Sequence, residues 1–77
     1  EAGYDALEPM MAHADVAIRK RAEKCIGNLA YLAKDRIIRR KAFDLLQRCL
    51  TTETDGELRQ SIEFSVKFTA KKNLNAR

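Results

Sequence analysis

The side chains of this 77-residue chain that are best suited to chemistry are its cations. Ten of the fifteen Lys and Arg residues lie within residues 15–50, and most of them follow one of two aspartates. The sequence DVAIRKRA covers residues 15–22, and DRIIRRKA covers residues 35–42. Positive charge at this density attracts carboxylates or phosphates. Helix stability does not explain these positions, because a helix dipole disfavours cations in the first turn.

The residues that could support catalysis are few. His13 is the only histidine and is next to the predicted turn at residues 14–15, where a solvated or capping histidine is common. Ser61 and Ser65 have no base nearby in the sequence, and the three glycines form no phosphate-binding loop. We therefore predict a protein that is not an enzyme and has no cofactor, metal site or small-molecule substrate.

The cysteines and the composition indicate the class of protein. Cys25 and Cys49 lack metal-ligand spacing, so we expect buried free thiols in a reducing compartment, with a disulfide as the less favoured alternative. An intracellular location, cytoplasmic or nuclear, follows from this expectation.

No apolar run is long enough to span a bilayer, so we predict no membrane partner. With 45% apolar and 34% charged residues, the chain is expected to form one helical domain over residues 1–77. Since it begins with Glu1, we expect a segment of a larger protein.

A short pattern recurs three times at a spacing of twenty residues. It consists of an aspartate, two variable residues, an aliphatic residue and an arginine, and it begins at Asp15, Asp35 and Asp55. Each aspartate is predicted to cap a helix by accepting hydrogen bonds from first-turn N–H groups. In the third copy Thr54 competes for this position, because Thr54 and Glu57 have the spacing of a capping box.

The phase of the apolar residues predicts a turn at residues 33–35. Twenty residues rotate a helix by about 200°, so one continuous helix would place the stripes around Ile18 and Ile38 on nearly opposite sides. A turn lets both stripes face one core, although a single long helix over residues 16–50 is the alternative. A short first helix around residues 7–14 and a last helix over residues 57–72 complete the prediction. The fold class is thus an all-α antiparallel bundle of three main helices plus a short N-terminal helix.

Two aromatic residues leave a question open on the last helix. Phe64 and Phe68 lie on a different side from Leu58, Ile62 and Val66, and so create a second apolar face. Either they pack on the first helix, or they contact a neighbouring segment or a partner.

Residues 7–29, LEPMMAHADVAIRKRAEKCIGNL, resemble the middle of a HEAT repeat. The shared features are a helix end with paired apolar residues, a turn with an aspartate, and a helix that begins aliphatic-Arg and contains Ile-Gly-x-Leu. The resemblance implies a fragment of a HEAT or armadillo-like α-solenoid that serves as a protein scaffold. It also implies that Asp15, Arg19, Asp35 and Arg39 help neighbouring repeats to stack. One departure favours a plain helical bundle instead: the pattern returns with every helix rather than with every second helix.

Antiparallel packing would sort the charges between two ends. At one end the cations of residues 19–24 would meet the acidic loop that contains Glu53, Asp55 and Glu57, and Arg19 could also pair with Glu23. At the other end the packing would gather a basic, partner-binding set of residues: Arg36, Arg39, Arg40, Lys41, Lys71 and Lys72.

This basic end leads to the functional prediction. We predict a non-catalytic protein-protein interaction or scaffold module whose basic surface binds an acidic protein partner. The alternative is a small basic helical domain that binds nucleic acid through its phosphates. The cations are equally explained as solvated helix ends or as stacking arginines.

Overall fold

The computed structural model describes residues 2–74, and it confirms the all-α prediction over that range. The chain forms helix α1 (Ala2–Leu7), a 3-10 helix (Pro9–Ala12), α2 (Val16–Leu32), α3 (Arg36–Thr52) and α4 (Gly56–Leu74). None of the helices within residues 2–74 combines the length and the apolarity needed to cross a membrane.

The N-terminal helix differs from the prediction, because two short helices replace one helix over residues 7–14. Helix α1 ends at Leu7, and Pro9 begins the 3-10 helix. Proline has no N–H to donate and its ring clashes with the preceding turn of a helix, so it is placed best at a helix start.

The predicted turn between α2 and α3 is confirmed, and residues 16–50 do not form one helix. Ala33 donates its N–H to the Leu29 carbonyl at 3.1 Å and closes the last turn of α2. Asp35 has an extended backbone and stands directly before α3. The two apolar stripes can therefore face the same core.

Helices α2, α3 and α4 all pack on one another, and the 3-10 helix packs on α2. The core consists of their buried apolar side chains together with one from α1: Tyr4, Met11, Ala22, Ile26, Ala30, Ile38, Ala42, Phe43, Leu45, Leu46, Leu58 and Ile62.

Cys25 is free and exposed, so the prediction that it is buried is wrong. It precedes Ile26 by one residue and is therefore rotated by about 100° from the centre of the buried stripe.

Helix α4 begins one residue earlier and ends two residues later than predicted. The carboxylate of Asp55, rather than Thr54, caps it by accepting the N–H of Leu58 at 2.9 Å.

Side-chain contacts show which parts of the helices meet. Asn73 near the end of α4 donates its amide N–H to the carbonyl of Ala30 in the last turns of α2, at 2.9 Å. Arg40, in the second turn of α3, donates to the carbonyl of Asn73 at 3.1 Å. The last turns of α2 and α4 and the first turns of α3 are thus gathered at one end of the molecule, where the cations of residues 34–41 are found.

Candidate functional site

The α2–α3 connection is closed by hydrogen bonds from the first residues of α3. Asp35 accepts the N–H groups of Ile37 and Ile38 on Oδ1, at 2.8 Å and 3.4 Å. Arg39 turns back and donates from Nη1 to the carbonyl of Ala33 at 3.0 Å. The aspartate therefore caps the helix that follows, and the arginine satisfies a carbonyl at the end of the helix that precedes.

The first copy of the repeated pattern makes the same two kinds of bond. Asp15 accepts the N–H of Ala17 at 2.9 Å, and Arg19 donates from Nη1 to the carbonyls of His13 and Ala14 at 2.8 Å and 3.1 Å. The third copy keeps only the cap, because Arg59 is exposed and its side chain forms no hydrogen bond within residues 2–74.

At the end of the molecule where α2 begins, Arg19 also forms a two-point ion pair with Glu53, which directly follows α3. Its Nε donates to Oε1 at 3.1 Å and its Nη2 to Oε2 at 2.9 Å. Burial alone would raise the pKa of the Glu53 carboxyl, but the hydrogen bonds from Arg19 and from the N–H of Asp55 outweigh it and lower that pKa below its ordinary value. Lys20 pairs with Glu57, which raises the pKa of the lysine. Glu53 and Glu57 therefore neutralise part of the positive charge at this end.

The expected pair between Arg19 and Glu23 is wrong, because Glu23 is buried and bound elsewhere. Its two carboxylate oxygens accept hydrogen bonds from the hydroxyls of Ser61 and Ser65, both at 2.7 Å. A usable signal was missed, because Glu23 lies between Ala22 and Ile26 on the apolar, buried face of α2.

The opposite end holds a groove of about 670 Å³, which we call the basic groove. Two carboxylates, Asp35 and Asp44, line it together with six cations: Lys34, Arg36, Arg39, Arg40, Lys41 and Lys72. Five of the six predicted partner-binding residues are among them. Lys71 is exposed but does not line the basic groove, and Lys34 lines it without having been in that set.

Four of these cations contact groups within the molecule. Arg39 binds the Ala33 carbonyl, and Arg40 binds both Asp44 at 3.0 Å and the Asn73 carbonyl at 3.1 Å. The ammonium of Lys41 lies 5.4 Å from the centre of the Tyr4 ring, and that of Lys72 lies 4.8 Å from the centre of the Tyr31 ring. Among residues 2–74, no carboxylate forms an ion pair with Lys34, Arg36 or Lys72.

Large apolar side chains are exposed beside these cations. Ile37 is 70% exposed and lines the basic groove, Leu32 is 66% exposed just before the turn, and Leu74 is 54% exposed at the end of α4. Exposed apolar side chains of this size, grouped at one end, are typical of a contact surface.

An aromatic cluster lies next to this end, and we call Tyr31, Phe64 and Phe68 the aromatic shelf. The Phe68 ring is centred 4.9 Å from the Tyr31 ring and 5.8 Å from the Phe64 ring. Phe64 and Phe68 are 68% and 55% exposed, so the interpretation that they pack in the core on the first helix is wrong. Phe68 contacts α2 through Tyr31, Phe64 stacks on Phe68, and more than half of each phenylalanine is exposed.

The chain has no significant match among protein-family models, curated proteins or solved structures. The resemblance to a HEAT repeat therefore stays a prediction that depends on the residues quoted for it.

Proposed function

We propose that this protein is a non-catalytic interaction module whose basic groove binds an acidic segment of a protein partner inside the cell. In this proposal its helices are antiparallel and belong to a HEAT-like or armadillo-like α-solenoid. The partner's carboxylates contact Lys34, Arg36 and Lys72, which have no carboxylate partner among residues 2–74.

The observation that carries the proposal is that cations and exposed apolar side chains lie together at the end of the molecule that holds the basic groove. Ile37 lines the same groove as the cations, and Leu32 lies just before the turn that forms one side of it. A phosphate backbone offers negative charge but no apolar groups to cover such residues, whereas an acidic protein segment carries both. The combination therefore favours a protein partner.

The hydrogen bonds at the helix starts support a structural role for four predicted residues. Asp15 and Asp35 cap helices, and Arg19 and Arg39 close the connections before them. In an array, residues that fix the angle between successive helices also fix how neighbouring repeats stack. We propose this stacking role for the four residues on that ground.

Nucleic acid is the second candidate, since six cations line a single groove. Binding of this kind would use phosphates, would depend steeply on salt and would depend little on sequence.

A charge-reversal experiment tests both candidates. Two probes are used, a peptide of about twelve residues built from Glu and Leu, and a duplex of about twenty base pairs, each labelled for fluorescence anisotropy. The variant is Arg36→Glu with Lys72→Glu, which spares the internal bonds of Arg39 and Arg40. The matched control, Arg21→Glu with Arg59→Glu, gives the same change in net charge on exposed residues that do not line the basic groove.

We expect the peptide to bind the unchanged chain and the control, and to bind the groove variant at least tenfold more weakly. Equal affinities for the groove variant and the control would refute the basic groove as the binding site. Binding of the duplex but not of the peptide, lost steeply as salt rises, would replace the protein partner with nucleic acid.

A further inference from the structure

We propose that the acidic partner also places one large apolar or aromatic side chain on the aromatic shelf, beside Gly27. This inference rests on the proposed function and adds the second half of the binding site. It defines the partner as a segment in which acidic residues accompany an apolar anchor.

The three residues of the shelf line a groove of about 340 Å³ between α2 and α4. Lys24, Gly27 and Tyr31 lie on one face of α2, and Phe64 and Phe68 lie on the facing side of α4. Offset aromatic rings with uncovered faces gain contact area from a further apolar group. Two exposed phenylalanines that already touch each other are more easily explained by such a contact than by folding.

Lys72 joins this groove to the basic groove. It lines the basic groove, and its ammonium lies 4.8 Å from the centre of the Tyr31 ring. One short segment can therefore place a carboxylate at Lys72 and an apolar side chain on the shelf. Lys24 also lines the shelf groove, two turns before Tyr31 on α2, so both neighbouring charges favour an acidic segment.

Gly27 provides an independent argument, because the fold does not require a glycine there. It lies in the interior of α2, where glycine destabilises a helix relative to alanine, and its φ is not positive. A Cβ at this position would meet Glu23 Oε2 and Ser65 Oγ at 3.5 Å, which is ordinary contact. Without a side chain, Gly27 instead leaves the wall of the groove open beside the shelf.

The test compares two peptides of about twelve residues that differ only at the centre. Both consist of Glu and Ala, and one has a central Trp where the other has Ala. Their affinities are measured by fluorescence anisotropy for the unchanged chain and for three variants: Gly27→Ala, Phe68→Ala and Gly56→Ala. Gly56→Ala is the matched control, because it makes the same substitution at the start of α4, where a Cβ would meet no atom within 4 Å.

We expect the Trp peptide to bind at least tenfold more tightly than the Ala peptide. Phe68→Ala should remove most of this difference without lowering Tm, because Phe68 is exposed. Gly27→Ala should raise Tm and weaken the Trp peptide several-fold, a combination that a purely structural glycine would not produce. Gly56→Ala should leave both affinities unchanged.

The outcomes separate this inference from the proposed function. If both peptides bind with equal affinity, the basic groove binds acidic chains and the shelf proposal is overturned. The shelf proposal is also overturned if neither Phe68→Ala nor Gly27→Ala changes the preference for Trp. If neither peptide binds even at low salt, the proposed function itself is overturned.

Discussion

Arg19 and Glu53 are joined by two hydrogen bonds, at 3.1 Å and 2.9 Å, that link the start of α2 to the residue directly after α3. The Glu53 side chain is only 5% exposed, so this is a shielded ion pair rather than a surface contact. Glu53 also accepts the N–H of Asp55, which directly precedes α4. One carboxylate thus ties together parts of three helices.

This ion pair predicts a loss of stability in acid. The pKa of Glu53 is lower in the folded chain than its ordinary value of 4.5, so the ionised carboxylate stabilises the fold. That stabilisation is complete above pH 4.5 and is lost as the pH falls through the lowered folded-state pKa. We expect Glu53→Gln to lower Tm at pH 7 by roughly 5 °C, and by much less at pH 3. Thermal unfolding followed by circular dichroism at both pH values measures this, and an equal loss at pH 3 would contradict it.

The helix caps predict a second set of stability changes. Asp35→Ala should destabilise the protein by about 1 kcal/mol, because two first-turn N–H groups lose their acceptor. Asp35→Asn should retain most of the stability, since asparagine caps helices about as well as aspartate. Urea unfolding of the two variants tests this. Equal losses for Ala and Asn would mean that the charge of Asp35, rather than its cap, is what matters.

Arg39 is predicted to act on stability, although it lines the basic groove. Its Nη1 donates to the Ala33 carbonyl at 3.0 Å, so Arg39→Ala should destabilise the protein by about 1–2 kcal/mol. Arg36→Ala removes a neighbouring exposed cation and should change stability by less than about 0.5 kcal/mol. Urea unfolding of this matched pair provides the measurement. A similar effect of the two variants would show that the bond to Ala33 contributes little.

The buried carboxylate of Glu23 predicts a graded response at two serines. Ser65 is partly buried and Ser61 is exposed, so Ser65→Ala should destabilise the protein by about 1–2 kcal/mol and Ser61→Ala by less. In the background of Glu23→Ala both effects should shrink, because the acceptor is gone. If the losses from the serine and Glu23 substitutions simply add in this double-mutant cycle, the hydrogen bonds between them contribute nothing measurable to stability.

The two thiols should differ in reactivity. Cys25 is exposed, whereas Cys49 is partly buried and burial raises the pKa of its thiol, which leaves less thiolate at neutral pH. We expect iodoacetamide at pH 7.5 to modify Cys25 several-fold faster than Cys49, as followed by mass spectrometry of tryptic peptides. Modification of Cys49 at an equal or higher rate would contradict the described burial.

The helices and the break between α2 and α3 could be predicted because they depend on local signals. Apolar periodicity located the three main helices, and the 100° step per residue favoured a turn near residue 34 over one long helix. The wrong burial prediction for Cys25 also has a local cause. Cys25 has an apolar side chain at the edge of a stripe, and periodicity alone does not show where the edge of burial lies.

The details of the site could be predicted only in part, because they depend on pairs of residues that are distant in sequence. The cations of the basic groove were visible as a cluster, but the sequence does not show that Arg40 turns inward to the carbonyl of Asn73 near the end of α4. In the same way, Glu23 receives its partners from α4, about forty positions later, and the aromatic shelf pairs Tyr31 with Phe68. Spacing along one helix carries no signal for such pairs.

The connection between α2 and α3 has one further consequence. Three side-chain hydrogen bonds there join residues within positions 33–39, so the segment itself helps to set the geometry of the corner, in addition to the packing of α2 on α3. Because α2 and α3 also share a buried core, a ligand that drew Arg39 away from Ala33 would loosen the corner while the angle between the two helices stayed fixed by their packing.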